Sequence, residues 1–387
     1  MNPCATFSRM MSGVGRTLSK RNLNGFNLLL GRMSTNVSIP MHISREIETF
    51  QDTYPRIFDT LSKNPGIQEN PKVCSWLKTV LDYNLHGGKK ARGLATVSSY
   101  EILAKPENVT EEMLEISRVM GWCVEMLQAY FLMIDDIMDG APTRRGAPCW
   151  YRRPEVGLGA LNDAILVQAA MYDIIKVYCK HIPTYTNILH EFNQALFHTS
   201  MGQYLDYSMA HRNKSDYTLF TREQYSAIVK YKTSYYTYKL PVCLGMLLNN
   251  NTNKDVHQKA EKICLEIGHL FQMQDDYIDC LASEKVTGKA GTDIQEGKCS
   301  WLAVEALQRM TDAQRKVFVT CYGSHEPAHI ERVKRLYEEL DLTAVFRQEE
   351  RDRYDAIVKQ SQALPKDAGP LPDLFLKLLN LIYDRKK

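Results

Sequence analysis

The sequence predicts an all-α fold: a single-domain bundle of about ten or more helices, with a central active-site cavity between facing helices. Three observations carry this. Apolar residues recur at helical spacing through long runs joined by short polar segments. Alternating apolar–polar runs of useful length are missing, so strands have little to build on. Pro183, Pro327, Pro365, Pro370 and Pro372 fall at or near the joints, where a residue without an N–H does least harm. With 387 residues, 44% of them apolar, the chain can bury a large core. No Gly/Ser/Pro-rich linker divides it.

The first 45 residues stand apart. They hold Arg9, Arg16, Lys20, Arg21, Arg32 and Arg45, several serines, interleaved apolar residues, and no acid before Glu46. That composition reads as a mitochondrial transit peptide ahead of a body spanning 46–387. A disordered basic tail is the alternative. Met33 and Met41 offer internal starts that would give a cytoplasmic form. Without these six cations the formal +3 of the chain becomes about −3 for the body, so nucleic-acid binding gains no support.

Within the body, Thr110-Glu-Glu opens a helix with a hydroxyl cap and acids in its first turn. It runs to Asp139, and Gly140, Pro142 and Gly146 stop it. Further helical patterns cover 160–180, 186–211, 221–248, 254–281, 297–310, 326–340, 343–362 and 372–385. No run of eighteen apolar residues occurs, so no membrane span is expected. Ten scattered cysteines without a CxxC pair argue for reduced, mostly buried thiols rather than disulfides or zinc.

Two aspartate clusters end two of the apolar helical runs. Phe131-Leu-Met-Ile-Asp-Asp-Ile-Met-Asp supplies Asp135, Asp136 and Asp139. Phe271-Gln-Met-Gln-Asp-Asp-Tyr-Ile-Asp supplies Asp275, Asp276 and Asp279. The outer carboxylates of each cluster are four apart and share a helix face. Like charges at that spacing repel, the more so in apolar surroundings, so something positive should sit between the clusters. Removing one carboxylate is then expected to leave the metal-free protein no less stable. Carboxylate pairs of this kind suit Mg²⁺, which keeps waters and takes substrate phosphates. One such cluster is weak testimony; two, one of them followed by an arginine pair, are much stronger.

Cations accompany the acids. Arg144 and Arg145 follow the first cluster across a turn, either to neutralise it or to take phosphate oxygens in a planar fork. Lys289 lies in a Gly-rich loop after the second cluster, and Lys298 in Gly-Lys-Cys-Ser-Trp is a further candidate. His86-Gly-Gly-Lys-Lys-Ala-Arg-Gly is no P-loop, since the spacing fails and no strand precedes it. It is either an exposed basic turn or a second anion site using Lys89 and Arg92. Lys232 sits mid-helix in an aromatic stretch, either snorkelling or pointing inward. Tyr130, Phe131, Gln128, Phe271 and Gln272 lie just upstream of the acids, where aromatic faces favour a cation. The inventory suits a diphosphate leaving group. Metal and cations stabilise its departure, and an apolar cavity keeps water from the carbocation.

On these residues the body resembles the farnesyl diphosphate synthases, short-chain trans-prenyltransferases, of an insect-like kind. Residues carrying the likeness are Gly87-Gly-Lys-Lys-Ala-Arg-Gly, Leu127-Gln-Ala-Tyr-Phe-Leu, Asp135-Asp-Ile-Met-Asp with Thr143-Arg-Arg-Gly and Cys149-Trp-Tyr, Lys230-Tyr-Lys-Thr, the second aspartate cluster with Gly288-Lys, and Lys298-Cys-Ser-Trp. The likeness implies the isoprenoid synthase fold, a homodimer, and three Mg²⁺ ions per site on Asp135, Asp136, Asp139, Asp275, Asp276 and Asp279. It implies that Arg144, Lys232 and Lys289 hold an allylic diphosphate, with Gln272 and Lys298 nearby. Lys89, Arg92, Gln128 and Arg145 would bind isopentenyl diphosphate, with Arg385 in a basic tail. Thr233 and the Lys232 carbonyl would face the carbocation, and the released diphosphate would take the last proton. Tyr130 and Phe131 would gate product length at geranyl or farnesyl.

The chain departs from that family pattern at three places. Ala91 stands where Asn is usual, Lys239 where an aromatic residue is usual, and Asp384 where the tail is basic. Ala91 and Asp384 touch the isopentenyl side. They leave room for a terpene synthase that ionises a prenyl diphosphate without condensing it. A non-catalytic dimer partner is the third reading, against which both aspartate clusters are complete.

Overall fold

The computed structural model describes residues 38–212, 216–281, 291–364 and 371–383. They form the all-α bundle that the periodicity predicts. The only strands among them are the two-residue pair Thr143–Arg144 and Ala147–Pro148. The helix Ser38–Ser62 crosses residue 45, so helical structure begins inside the segment read as a leader.

Two apolar cores share the bundle. One gathers Phe50, Leu77, Met120, Trp122, Val167 and Met171 from the helices Ser38–Ser62, Pro71–Leu85, Glu111–Met138 and Ala160–Cys179. The other gathers Ile267, Leu302, Phe318, Leu336, Phe346 and Phe375 from the C-terminal helices. Helix Leu240–Leu248 is buried throughout and feeds both. Thr110 caps the Glu111–Met138 helix as its sequence predicts, accepting the Met113 N–H at 3.2 Å.

The helices Ser38–Ser62, Pro71–Leu85 and Ala91–Leu103 precede the first helix read from the sequence, and three further details differ. Residues 221–248 are not one α-helix: an α-helical turn at Arg222–Ile228 passes into π-helix at Val229–Lys239 before α-helix resumes. Pro241, just after the π segment, has no N–H to return to the preceding turn. A helix at Asp312–Cys321, opened by a Thr311/Gln314 capping box, was hidden because it buries little beyond Phe318 and Cys321. Finally, residues Gly157–Cys179 are long and apolar enough to cross a membrane by length and composition. Here the helix packs on Glu111–Met138 and gives Val167, Met171, Ile174 and Ile175 to the core. The nine described cysteines are buried and free, as their scatter predicts.

Candidate active site

Helical geometry divides each aspartate cluster. Its first and fifth positions lie about 40° apart around the axis, its second about 100° from the first. Accordingly Asp135 and Asp139 face one polar space, while Asp136 turns aside. Asp135 accepts from Gln203 Nε2 at 2.7 Å and Lys232 Nζ at 3.1 Å, with Arg144 at 3.4 Å. Asp139 accepts from Lys298 Nζ at 2.7 Å. Buried Asp136 takes the Arg144 Nε–H at 2.7 Å.

Asp206 was not singled out from the sequence, yet it ties this group together. Its Oδ2 accepts from Lys232 at 2.5 Å and from Lys298 at 3.3 Å. A signal existed: Gln203 and Asp206 stand three apart, on one face of the last turn of Tyr185–Tyr207. That helix meets the π-helical segment at Gly202, where a Cβ would fall 2.0 Å from the Lys232 backbone nitrogen. Only glycine lets the two come so close, and the contact brings Lys232 to Asp135 and Asp206. Lys232 points inward; it does not snorkel.

Burial pushes the Asp135 carboxyl up, but Lys232, Lys298, the Gln203 amide and Arg144 outweigh it and hold it below its ordinary value. Asp206 follows the same pattern and is held far lower. Burial pulls Lys232 and Lys298 down, and the carboxylates around them raise both above the usual lysine range. The positive element that like-charge repulsion demanded is supplied here by three side chains.

The second cluster divides the same way. Asp276 is buried and turned inward, accepting the Trp301 N–H and the Gln272 amide, each at 2.8 Å. Burial raises its carboxyl to about 7 against those hydrogen bonds, with Asp275 adding to the rise. Asp279 Oδ2 accepts the N–H groups of Thr292 at 2.9 Å and Asp293 at 3.2 Å, anchoring the turn Asp293–Glu296. Asp275 is half-buried. Gln272 links the cluster to the π segment, since its Oε1 accepts the Thr233 hydroxyl at 2.8 Å. Lys289 and Arg385 lie outside the described residues.

A second cationic group stands beside the first. Arg145 and Gly146 form the two-residue turn of the hairpin, both at positive φ (54° and 77°). This turn sends Arg144 to the acids and Arg145 to the His86 carbonyl at 3.3 Å. Arg145 packs on Gly88, where a Cβ would stand 3.0 Å from its Cζ. Burial, with Arg144 and Arg92 close by, holds the Arg145 guanidinium below its ordinary value. Arg92 donates to Thr237 and to Tyr236, each at 3.1 Å. Lys89 is exposed and Gln128 half-buried. The neighbouring Lys90 differs: it is buried, donating to the Leu85 and Gly87 carbonyls at 2.5 Å, so it shapes the loop. Ala91 begins a helix and is exposed. Behind the acids, Tyr130 and Phe131 meet edge to face at 4.9 Å, and Tyr236 lies 6.1 Å from Phe131.

The family model described as polyprenyl synthetase matches residues 74–340. Farnesyl pyrophosphate synthase of Murgantia histrionica is 43% identical over 339 residues, covering 87% of this chain and 82% of that protein. The Rattus norvegicus protein of the same name is 42% identical over 357 residues, covering 92% of this chain and 100% of its own. Among solved structures, T. brucei farnesyl diphosphate synthase complexed with risedronate superposes with a TM-score of 0.81 at 33% identity. That match covers 88% of this chain and 100% of the T. brucei chain.

Proposed function

The chain belongs to the polyprenyl synthetase family and is a prenyltransferase, and we infer that its site ionises an allylic diphosphate and joins the allylic carbon to isopentenyl diphosphate. One observation carries the reading: Lys232, Lys298 and Arg144 converge on Asp135, Asp139 and Asp206, and Thr233, next to Lys232, reaches the second cluster by two hydrogen bonds through Gln272. Such a set takes a polyanion once divalent ions relieve the carboxylates.

The donors are carboxylate oxygens, which fit Mg²⁺. Asp135, Asp139 and Asp275 would hold it, three ions in all, with Asp136, Asp276 and Asp279 buttressing through the contacts described above. Bound Mg²⁺ would neutralise the diphosphate and the charge that grows on it as it leaves. Arg144, Lys232 and Lys298 bind the allylic diphosphate, joined by Lys289. Arg92, Arg145, Lys89 and Gln128 bind isopentenyl diphosphate. Thr233 faces the carbocation, and the Tyr130–Phe131 pair receives the hydrocarbon tail and excludes water. Ionisation without condensation finds no support among the relatives, and it leaves the Arg92–Arg145 group without a task.

Two further parts of the reading concern assembly and address. Leu158, Leu161, Ile165, Phe197, Met201 and Tyr204 are exposed on two consecutive helices. They suit burial against a second copy, as an isologous dimer; light scattering tests this. The acid-free, Arg- and Ser-rich first 45 residues direct the chain to mitochondria, with a cytoplasmic form from Met33 or Met41. Fusing them to a fluorescent protein tests that.

Purified protein with Mg²⁺, geranyl or dimethylallyl diphosphate, and isopentenyl diphosphate should yield a longer prenyl diphosphate and inorganic diphosphate. A hydrocarbon or alcohol formed at the same rate without isopentenyl diphosphate would overturn the assignment.

A further inference from the structure

Asp163 lies outside the site just described, yet it is buried and holds two tryptophans at once. Its Oδ1 accepts the Trp76 indole N–H at 2.7 Å, and its Oδ2 accepts that of Trp150 at 2.9 Å. The two indoles come from different directions. Trp76 belongs to the helix Pro71–Leu85, which leads into the His86–Lys90 loop and so to Arg92 at the start of the next helix. Trp150 follows directly on the hairpin that carries Arg144 and Arg145. Their rings are 5.8 Å apart, and Tyr83 packs on Trp150 at 5.0 Å.

The base of the hairpin is fastened to this point by several contacts. Tyr83 donates to the Pro148 carbonyl at 2.6 Å, and Tyr151 to the Ala141 carbonyl at 2.9 Å. The Arg153 guanidinium lies over the rings of Tyr83 and Trp150, at 4.9 and 5.4 Å. An isolated two-residue ladder has little stability of its own, and its turn places an arginine at positive φ, a conformation L residues seldom adopt. Something outside the ladder must hold it. A carboxylate accepting two charge-assisted hydrogen bonds in the interior is the strongest such fastening here, and it joins the hairpin to the helix that positions Gly88, Lys89 and Arg92.

We propose that Asp163 is a positioning residue: by clamping the Trp76 and Trp150 indoles it sets the separation between the Arg144–Arg145 hairpin and the basic His86–Lys90 loop with Arg92 just beyond it. This rests on the prenyl-transfer reading, because what it positions are the guanidiniums proposed to bind the two diphosphates. A small displacement of such a pair weakens binding of the polyanion more than it harms the fold.

Asp163→Asn keeps the shape but leaves one indole N–H facing an amide N–H. Trp150→Phe keeps a ring and removes one donor, and serves where the asparagine variant folds poorly. Ile174→Val, on the same helix and facing the core, is the control for general loosening. Steady-state rates would be measured with each diphosphate varied in turn, alongside melting temperatures. Both clamp variants should raise the KM for isopentenyl diphosphate by about fivefold to tenfold, with kcat changed less than about threefold. Ile174→Val should melt lower with KM unchanged. A KM unchanged in both clamp variants, or raised equally by Ile174→Val, overturns the proposal. If the unaltered enzyme makes no condensation product, the functional reading fails instead. Binding of inorganic diphosphate by calorimetry then still reports on the clamp: affinity should fall about fivefold or more in Trp150→Phe, and an unchanged affinity overturns it.

Discussion

Lys298 and Asp139 are 159 positions apart in the chain and 2.7 Å apart in space. The residue that follows the second aspartate cluster thus neutralises the end of the first. Asp206 accepts from the same ammonium group, and from Lys232. The site is therefore a network of alternating charges, which diphosphate and divalent ions would have to reorganise.

Asp135→Asn tests that network. Repulsion between carboxylates alone predicts no loss of stability on removing one. The structure reverses this, because Lys232, Lys298, Gln203 and Arg144 hold the Asp135 carboxyl below its ordinary value. A depressed folded pKa contributes stability above the unfolded pKa, and that stability is lost as pH falls through the folded value. At neutral pH the variant should be less stable by about 1–3 kcal/mol without metal, and turnover should fall by about a hundredfold or more. Calorimetric melts with and without Mg²⁺ and diphosphate, beside a condensation assay, check both halves. An unchanged rate would make the cluster structural.

His269 should govern part of the acid sensitivity. Burial, with Arg353 nearby, lowers its ring from about 6.5 to about 3. A base with a depressed folded pKa lets the unfolded chain bind the extra proton between those values. Its contribution is thus complete above about 6.5 and lost as pH falls towards 3. Tyr225 packs edge-on at 5.4 Å and the Ser226 hydroxyl is 3.3 Å from Nε2. In His269→Gln the stability difference from the unaltered protein should shift in the variant's favour across this window, on the order of 5 kcal/mol. Equilibrium urea unfolding at several pH values measures it. Parallel curves would remove His269 from the account.

Much of this was legible in the sequence. Helical periodicity gave the fold class, and Thr110, Gly140 and Pro142 gave both ends of the helix that carries Asp135. The paired clusters and their cations were also readable, because i and i+4 carboxylates can only share a face. Three things were not. The partners that Asp136 and Asp276 meet once helical geometry turns them aside, Arg144 and the Trp301 N–H, come from other parts of the chain. The role of Asp206 depends on a close helix crossing at Gly202, which spacing along one chain does not reveal. The burial of Lys90, next to exposed Lys89, comes from a loop whose carbonyls fold back on the ammonium group.

Lys239, anomalous in sequence, has its explanation in Glu191. The two form an ion pair, Lys239 buried and Glu191 partly so, linking the π segment to the Tyr185–Tyr207 helix. Glu191, Cys243 and His257 bring three metal-type donor atoms within 4.8 Å of one another, but the Lys239 ammonium already supplies the cation. Glu191→Gln would strand that ammonium and should destabilise by about 3–5 kcal/mol. The double variant Glu191→Leu, Lys239→Phe should recover most of the loss, since apolar packing often matches a buried pair. Denaturant midpoints of the two variants decide it. A double variant as unstable as the single one would show that the pair does more than satisfy itself.

Product length should be set by Tyr130 and Phe131. At 1.5 Å per residue they lie roughly 6–8 Å along the helix axis from Asp135, on the side away from the hairpin. Their rings meet edge to face, and Tyr236 comes within 6.1 Å of Phe131 from the π segment. A hydrocarbon tail growing from the diphosphate along this helix reaches those three rings within about two isoprene units. Both residues are half-buried, so they line a space as well as filling the core. Replacing both with alanine should open the floor and move the product towards longer chains. Stability should fall by about 2–4 kcal/mol from the void. Tyr236→Ala alone should shift length less, because Tyr236 also accepts the Arg92 hydrogen bond, and its loss should raise the KM for isopentenyl diphosphate. Chromatography of the dephosphorylated products reads the lengths directly. If the double variant stays folded and active with an unchanged product, the floor lies elsewhere.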